Sequence, residues 1–417
     1  MGNDGVQGRL DDVSLIESLL FKEKPVNVAI SGLSGAGKSV LMKHMIHKGF
    51  EHHAAKTNCQ LIIIDTSFSY VAPQVMGSSF PTFDCNETMN EAPFGLNPFS
   101  FVHDGLDVDD QAQDVIMAVK GLLAPSITLS ERVVAPSRLI ASDLIQGQGS
   151  QATLQEFSER LIKDSDPNAR YLGNALNGVI DERFLNAMPN LTLDGIVQRI
   201  QTLWGGEDLV HGVYSTILGM MAIKKHMANT PQVRKIVAFD DLCATPCGGE
   251  MREAFDVGYE CLFDVVKRLW ASLGQLNASG IAVGTPMHPN RKNLYDAVNQ
   301  HLNYHVVMFC GSVRYELIPF MHYSADDIKS KFHGSIEHCY SQFVLQKVKG
   351  QFGAQSDIMY EHIIPLRLTL LEVAKANCEP FIRNGIHQGM AKGLTYEQAC
   401  VEISKTMIGP THFVEAS

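Results

Sequence analysis

The chain lacks a basic excess: 34 Lys and Arg stand against 45 Asp and Glu, for a formal net charge of -11 over 417 residues. A protein dedicated to nucleic acid usually carries a clustered positive surface, so direct DNA binding would need a local basic patch or pore. It also lacks a cysteine framework. Nine cysteines, an odd number, are scattered without pairing, which excludes a disulfide scaffold and points to reduced thiols in a cytoplasmic setting. Cys243 and Cys247 lie four apart after an apolar run, but a zinc site needs about two further ligands at matching spacing. None stands out, so they read as ordinary cysteines. Long apolar runs are missing too. The most extended, near Ile217–Ile223, falls far short of the roughly 20 residues of a membrane helix. The opening Met1-Gly2-Asn3-Asp4-Gly5 is polar and has no signal-peptide core. The expectation is a cytoplasmic protein with no transmembrane segment, reaching the inner membrane only through partners. Repeats and low-complexity tracts are likewise absent.

What the chain does have is Gly32-Leu33-Ser34-Gly35-Ala36-Gly37-Lys38-Ser39, which fits G-x-x-x-x-G-K-[ST] without a mismatch. Val26-Asn27-Val28-Ala29-Ile30 before it reads as a strand closing on Ser31, and Val40 to Ile46 after it is apolar at helical spacing. A strand feeding a glycine turn that opens a helix is the context this phosphate-binding loop requires. The glycines let backbone N–H groups converge on phosphate oxygens, and the helix N-terminus adds partial positive charge. Gly32 through Ser39 are therefore the candidate ATP-binding residues. Lys38 would reach the β- and γ-phosphates, and the Ser39 hydroxyl would hold Mg²⁺.

Further along, Leu61-Ile62-Ile63-Ile64-Asp65 is an apolar run ending in an acid, the pattern of a strand buried on both faces of a parallel sheet. Lys235-Ile236-Val237-Ala238-Phe239-Asp240-Asp241 repeats it, and Ile281–Thr285 and Tyr304–Phe309 are further strand candidates. Phe255–Leu276 is helical in period. Between residues 104 and 232 only helices are expected. Asp107–Leu123 is acidic first and apolar later, Thr153–Glu156 is a capping box, and Thr192 precedes Leu193, Ile196, Val197, Ile200 and Leu203 at helical spacing. The reading is an α/β fold with a mainly parallel sheet. It divides into a core at 1–103 and 233–350, an all-α insertion at 104–232, and a C-terminal segment at 351–417 with a helix from Tyr396.

A nucleotide site needs a second acid for magnesium at a strand end. Asp240 is the first candidate metal residue beside Ser39, and Asp65 the second, on the premise that the phosphate-loop strand neighbours the strand carrying the distal acid. Asp241 is the candidate catalytic base together with the catalytic Lys38. It is one methylene shorter than glutamate, a loss of about 1.5 Å in reach. Misplacement of that order costs on the order of 10²-fold in rate. Thr285-Pro286 ends a strand where a γ-phosphate sensor could sit, but proline supplies no amide function. Arg268, Arg291 and Arg314 are candidates for an arginine donated across subunits, though each reads more readily as an ordinary surface arginine, and sequence alone does not choose between them. His288, without partner ligands, reads as a loop residue.

The order of these features, namely phosphate loop, Asp65 to Tyr70, Gly77, Asn97-Pro98, helical insertion and strand with paired acids, resembles the conjugation and type IV secretion ATPases. This is the VirB-type family with its TraC-, TraU- and DotO-like members, in the FtsK/HerA branch of RecA-like P-loop motors. Gly350-Gln351-Phe352-Gly353 through Ile364-Pro365-Leu366-Arg367-Leu368 is similar to the C-terminal part of the TraU/DotO subgroup. The resemblance implies a RecA-like P-loop core, a homo-hexameric ring with ATP between subunits, and partners among other secretion-system ATPases and inner-membrane components. Where the family has D-P-x-x-E-Y this chain has Thr66 and Ser69. Where the family has D-E, T-Q and a basic pair, it has Asp240-Asp241, Thr285-Pro286 and Gly274-Gln275. Nucleotide binding tolerates these departures better than fast turnover does. Two other readings follow: a DNA-translocating coupling protein or HerA-like translocase, and a structural subunit regulated by nucleotide with weak hydrolysis.

Overall fold

The structure is a computed structural model and describes residues 19–21, 24–31, 37–53, 59–65, 82–84, 97–123, 130–180, 197–201, 209–240, 252–284, 301–308, 342–349, 357–365, 369–376 and 380–406. Among them the strands are β1 (Asn27–Ser31), β2 (Cys59–Asp65), β3 (Thr82–Asp84), β4 (Val197–Gln201), β5 (Arg234–Asp240), β6 (Ala278–Gly284), β7 (Tyr304–Met308), β8 (Gln342–Lys349) and β9 (Asp357–Pro365). They form one sheet in the order β3-β4-β2-β5-β6-β1-β7-β8-β9. Pairing is parallel from β3 through β7 and antiparallel across β7-β8-β9.

The α-helices are α1 (Lys38–His53), α2 (Val108–Leu123), α3 (Glu131–Gln148), α4 (Leu154–Lys163), α5 (Pro167–Asn177), α6 (Leu209–Asn229), α7 (Arg252–Ser272), α8 (Leu370–Ala376), α9 (Pro380–Ala391) and α10 (Tyr396–Thr406). Helix starts follow the chemistry visible in the sequence. Asp107 Oδ1 accepts from the Asp110 amide at 2.9 Å, and Thr153 Oγ1 from the Glu156 amide at 3.1 Å. Thr395 and Gln398 exchange reciprocal bonds ahead of α10. Each satisfies amides that the first helical turn leaves without partners.

The central strands bury both faces by period-two alternation. Val28 and Ile30, Leu61 and Ile63, and Ile236 and Ala238 join a cluster with Leu41, Met42, Met45 and Ile46 of α1. Ala29, Ile62 and Ile64, and Val237 and Phe239, face the opposite way into a larger cluster with residues of α2 to α7. Phe239 meets Trp270 edge-to-face, with ring centroids 5.6 Å apart. Helices on both faces of a mainly parallel sheet, with β2-β5-β6-β1-β7 at its centre, form a RecA-like P-loop core.

Three expectations are corrected. The helix expected over Leu193–Leu203 gives way to β4, which pairs with β2 from Leu61↔Val197 to Asp65↔Gln201 and with β3. The stretch 104–232 is therefore not all-α: the chain returns to the sheet between α5 and α6. Five residues carrying i, i+3, i+4 spacing cannot separate a short strand from a helix, and a free edge on β2 decides. The boundary at 350/351 divides an antiparallel pair, since β8 and β9 zip together from Gln342↔Pro365 to Lys349↔Asp357. The helical tail proper is α8–α10, whose buried Ala374, Ile382, Ile386, Tyr396, Ala399, Cys400 and Ile403 form a small separate cluster. Third, β5 is not the neighbour of β1, because β6 lies between them.

Candidate nucleotide site

β1 delivers Ser31, fully buried, to the sheet's C-terminal edge. Of the phosphate loop, Gly37, Lys38 and Ser39 are described, while Gly32, Leu33, Ser34, Gly35 and Ala36 lie outside the described residues. Gly37 has φ +84°, a left-handed conformation that favours glycine. It turns the chain into α1, whose first bond runs from the Leu41 amide to the Gly37 carbonyl at 2.9 Å. The first turn of α1 carries no acidic residue, so its N-terminal positive potential is not offset locally. Lys38 is 7% exposed.

Asp240 ends β5 and is 1% exposed. Ser39 Oγ donates to Asp240 Oδ1 at 2.8 Å. The two residues are 201 apart in sequence, and the fold brings them together across the width of β6. Hydroxyl and carboxylate oxygens suit Mg²⁺, which takes few protein ligands and completes its shell with water and phosphate oxygens. Among the described residues no three His, Cys, Asp or Glu side chains converge on a common metal position. Ser39 and Asp240 suit an ion that completes its shell with water and phosphate oxygens. Asp65 is the register partner of Asp240 but sits on β2, a further strand away from the loop. The premise of adjacent strands on which the two acids were ranked does not hold, since β6 lies between β1 and β5.

Asp241, Thr285, Pro286, Arg291, Arg314, His288, Cys243, Cys247, Tyr70 and Gly77 lie outside the described residues. Gly274 and Gln275 are exposed in the turn before β6. They stand at the N-terminal end of the parallel strands, opposite the phosphate loop. Asn97 is a structural residue: its side chain accepts from the Phe99 amide and donates to the Ala152 carbonyl at 2.8 Å, tying its turn to the start of α4.

Arg268 corrects its own reading, both as a surface residue and as a donor across subunits. It lies on α7 with its side chain 17% exposed, paired to Asp114 at 2.7 Å, to Asp110 at 3.5 Å, and to Asp264. Lys224 of α6 joins the same aspartates, 3.0 Å from Asp114 and in direct contact with Asp110. Burial alone would lower the Arg268 pKa, but Asp114 and Asp264 outweigh it and raise it. Five charges from α2, α6 and α7 thus converge, Asp114 and Lys224 buried and Asp110 and Asp264 half-exposed, and sequence spacing gave no sign of their convergence. Lys235 is another buried cation. It bonds the carbonyls of Met227 and Thr230 at the end of α6, and burial lowers its pKa from 10.5 to about 8.

Ser31 and His305 were not singled out from sequence. The available signal was polarity at the end of one apolar strand and inside another. No described helix is long and apolar enough to cross a membrane.

No family model matches the chain, and no curated protein does. Among solved structures, that of VirB4 of Thermoanaerobacter pseudethanolicus is similar, with a TM-score of 0.53 and 13% sequence identity. The similarity covers 82% of this chain and 89% of that one. At this identity the likeness is one of fold.

Proposed function

We propose that the chain is an ATP-binding motor domain of a type IV secretion or conjugation machine, coupling ATP hydrolysis to substrate transfer or apparatus assembly. The observation that carries this reading is the 2.8 Å contact between the loop serine, Ser39, and the strand-end acid, Asp240. The motif Gly32–Ser39 and the VirB4-like fold support it. Lys38 would balance charge on the β- and γ-phosphates, and Ser39 with Asp240 would hold Mg²⁺, which neutralises charge building on the transferred phosphoryl group. Asp241, next after Asp240, would orient the attacking water. A homo-hexameric ring with nucleotide between subunits, joined to other secretion ATPases and inner-membrane components, fits the same reading.

A second reading is a nucleotide-regulated structural subunit that hydrolyses slowly. It draws on Asp241 in place of glutamate, Pro286 in place of glutamine, and the exposed, uncharged Gly274-Gln275 turn. A DNA-translocating role is the less favoured version, given the net charge of -11. Titration calorimetry should find that Lys38→Ala abolishes ATP binding, and unchanged affinity would sink the proposal. Steady-state ATPase on the assembled ring then separates motor from scaffold, negligible turnover favouring the scaffold. Salt-sensitive binding to duplex DNA would favour the translocase.

A further inference from the structure

The phosphate loop leaves the sheet after Ser31 and enters α1 through Gly37, and β7 touches both places. His305 of β7 and Ser31 of β1 are each fully buried, and their Nε2 and Oγ atoms are 2.7 Å apart. Strand register explains how they meet. His305 stands directly opposite Ala29, and Ser31 lies two residues on along the same face. Diagonal neighbours in a sheet are about 7–8 Å apart at Cα and come within reach only of long side chains. Alanine opposite leaves room for the imidazole to lean toward Ser31. Three residues after His305, Met308 is 2% exposed, and its Cε lies 3.6 Å from where a Cβ on Gly37 would stand. One short strand therefore bonds the residue before the loop and brings Met308 beside the glycine near its far end.

We infer that His305 is a positioning residue for nucleotide binding: its bond to Ser31, with Met308 against Gly37, fixes both ends of the phosphate loop from β7. The inference rests on the nucleotide-binding reading above. The loop binds phosphate through converging backbone amides, so its affinity depends on where its two ends are held. Removing one member of the buried pair leaves the other polar group without that bond, and relief of that cost shifts the start of the loop.

The test is calorimetric titration of the full chain with Mg²⁺ and a non-hydrolysable ATP analogue, with thermal unfolding run in parallel. Ser31→Ala and His305→Phe should each weaken affinity about tenfold, a change equivalent to roughly 1.4 kcal/mol. The double variant should be no weaker than either single one, because both remove the same bond. His305→Gln, which keeps a side-chain nitrogen able to bond Ser31, should recover most of the affinity, and Ser31→Ala serves as the readable loss variant if His305→Phe does not fold. Affinity unchanged in Ser31→Ala, no recovery in His305→Gln relative to His305→Phe, or losses that add in the double variant, would overturn the inference. So would lost stability without lost affinity, which marks a purely structural pair. If wild-type protein fails to bind, or Lys38→Ala still binds as wild type does, the nucleotide reading itself falls.

Discussion

Asp114 and Asp240 are both almost wholly buried, 2% and 1% exposed, yet they stand in opposite kinds of place. Asp114 sits in the middle of α2 and meets Lys224 and Arg268, cations brought by two other helices. Asp240 sits at the last position of a parallel strand and accepts from Ser39, the residue after the loop lysine. A carboxylate buried inside a helical layer has to be neutralised by the protein's own cations, or it costs several kcal/mol. A carboxylate at the C-terminal edge of parallel strands faces the crevice where such sheets bind ligands. Its charge can serve a cation shared with phosphate. Burial alone thus does not mark a functional acid; position along the strand does.

Asp114→Ala should have the gravest consequence for folding. It leaves buried Lys224 with the half-exposed Asp110, and Arg268 with Asp110 and Asp264, so chemical denaturation should register a loss of about 3 kcal/mol, while the folded fraction keeps its ATP affinity within about twofold. Asp240→Asn should do the reverse. Magnesium-dependent turnover should fall on the order of 10²-fold with the unfolding midpoint nearly unchanged. A stability loss matching that of Asp114→Ala would erase the contrast.

Lys235 offers a pH-dependent version of the same question. Its amine titrates near 8 in the folded chain and near 10.5 when released. Below 8 both states are protonated and the burial penalty is full. Between the two values the unfolded chain holds more protons, so stability should rise with pH. Relative to Lys235→Met, wild type should gain on the order of 2 kcal/mol across that window, measured by urea unfolding at pH 7.5 and 10.5. A flat difference would show that the Met227 and Thr230 carbonyls stabilise the ammonium as well as water does. Smallest is Asp241→Glu, which restores about 1.5 Å of reach and should raise steady-state ATPase roughly tenfold. No increase would favour the scaffold reading.

Much of the fold was legible because its core strands are of the fully buried kind. Leu61–Asp65 and Ile236–Asp240 are apolar runs with no exposed face to encode, so they announce themselves. Two helix starts were readable as well, since Asp107 and Thr153 act within three residues of where they stand. What escaped was short or non-local. Val197–Gln201 carries too few residues to distinguish two periods, and pairing with β2 and β3 decides its state. The contiguous Gly32–Ser39 motif found one half of the candidate site. The link from Ser39 to Asp240, the retirement of Arg268 into an ion cluster and the bond between Ser31 and His305 all depend on which strands and helices become neighbours.

The sequence by itself determined the Gly32–Ser39 motif and the buried strands beside it, because each is written in consecutive residues whose backbone preferences and polarity act locally. Only the tertiary structure decided that β6 separates β1 from β5, that His305 of β7 meets Ser31, and that one buried aspartate pairs with cations of two other helices while another meets Ser39. Those outcomes turn on contacts between residues up to 276 positions apart, and spacing along the chain carries no record of them.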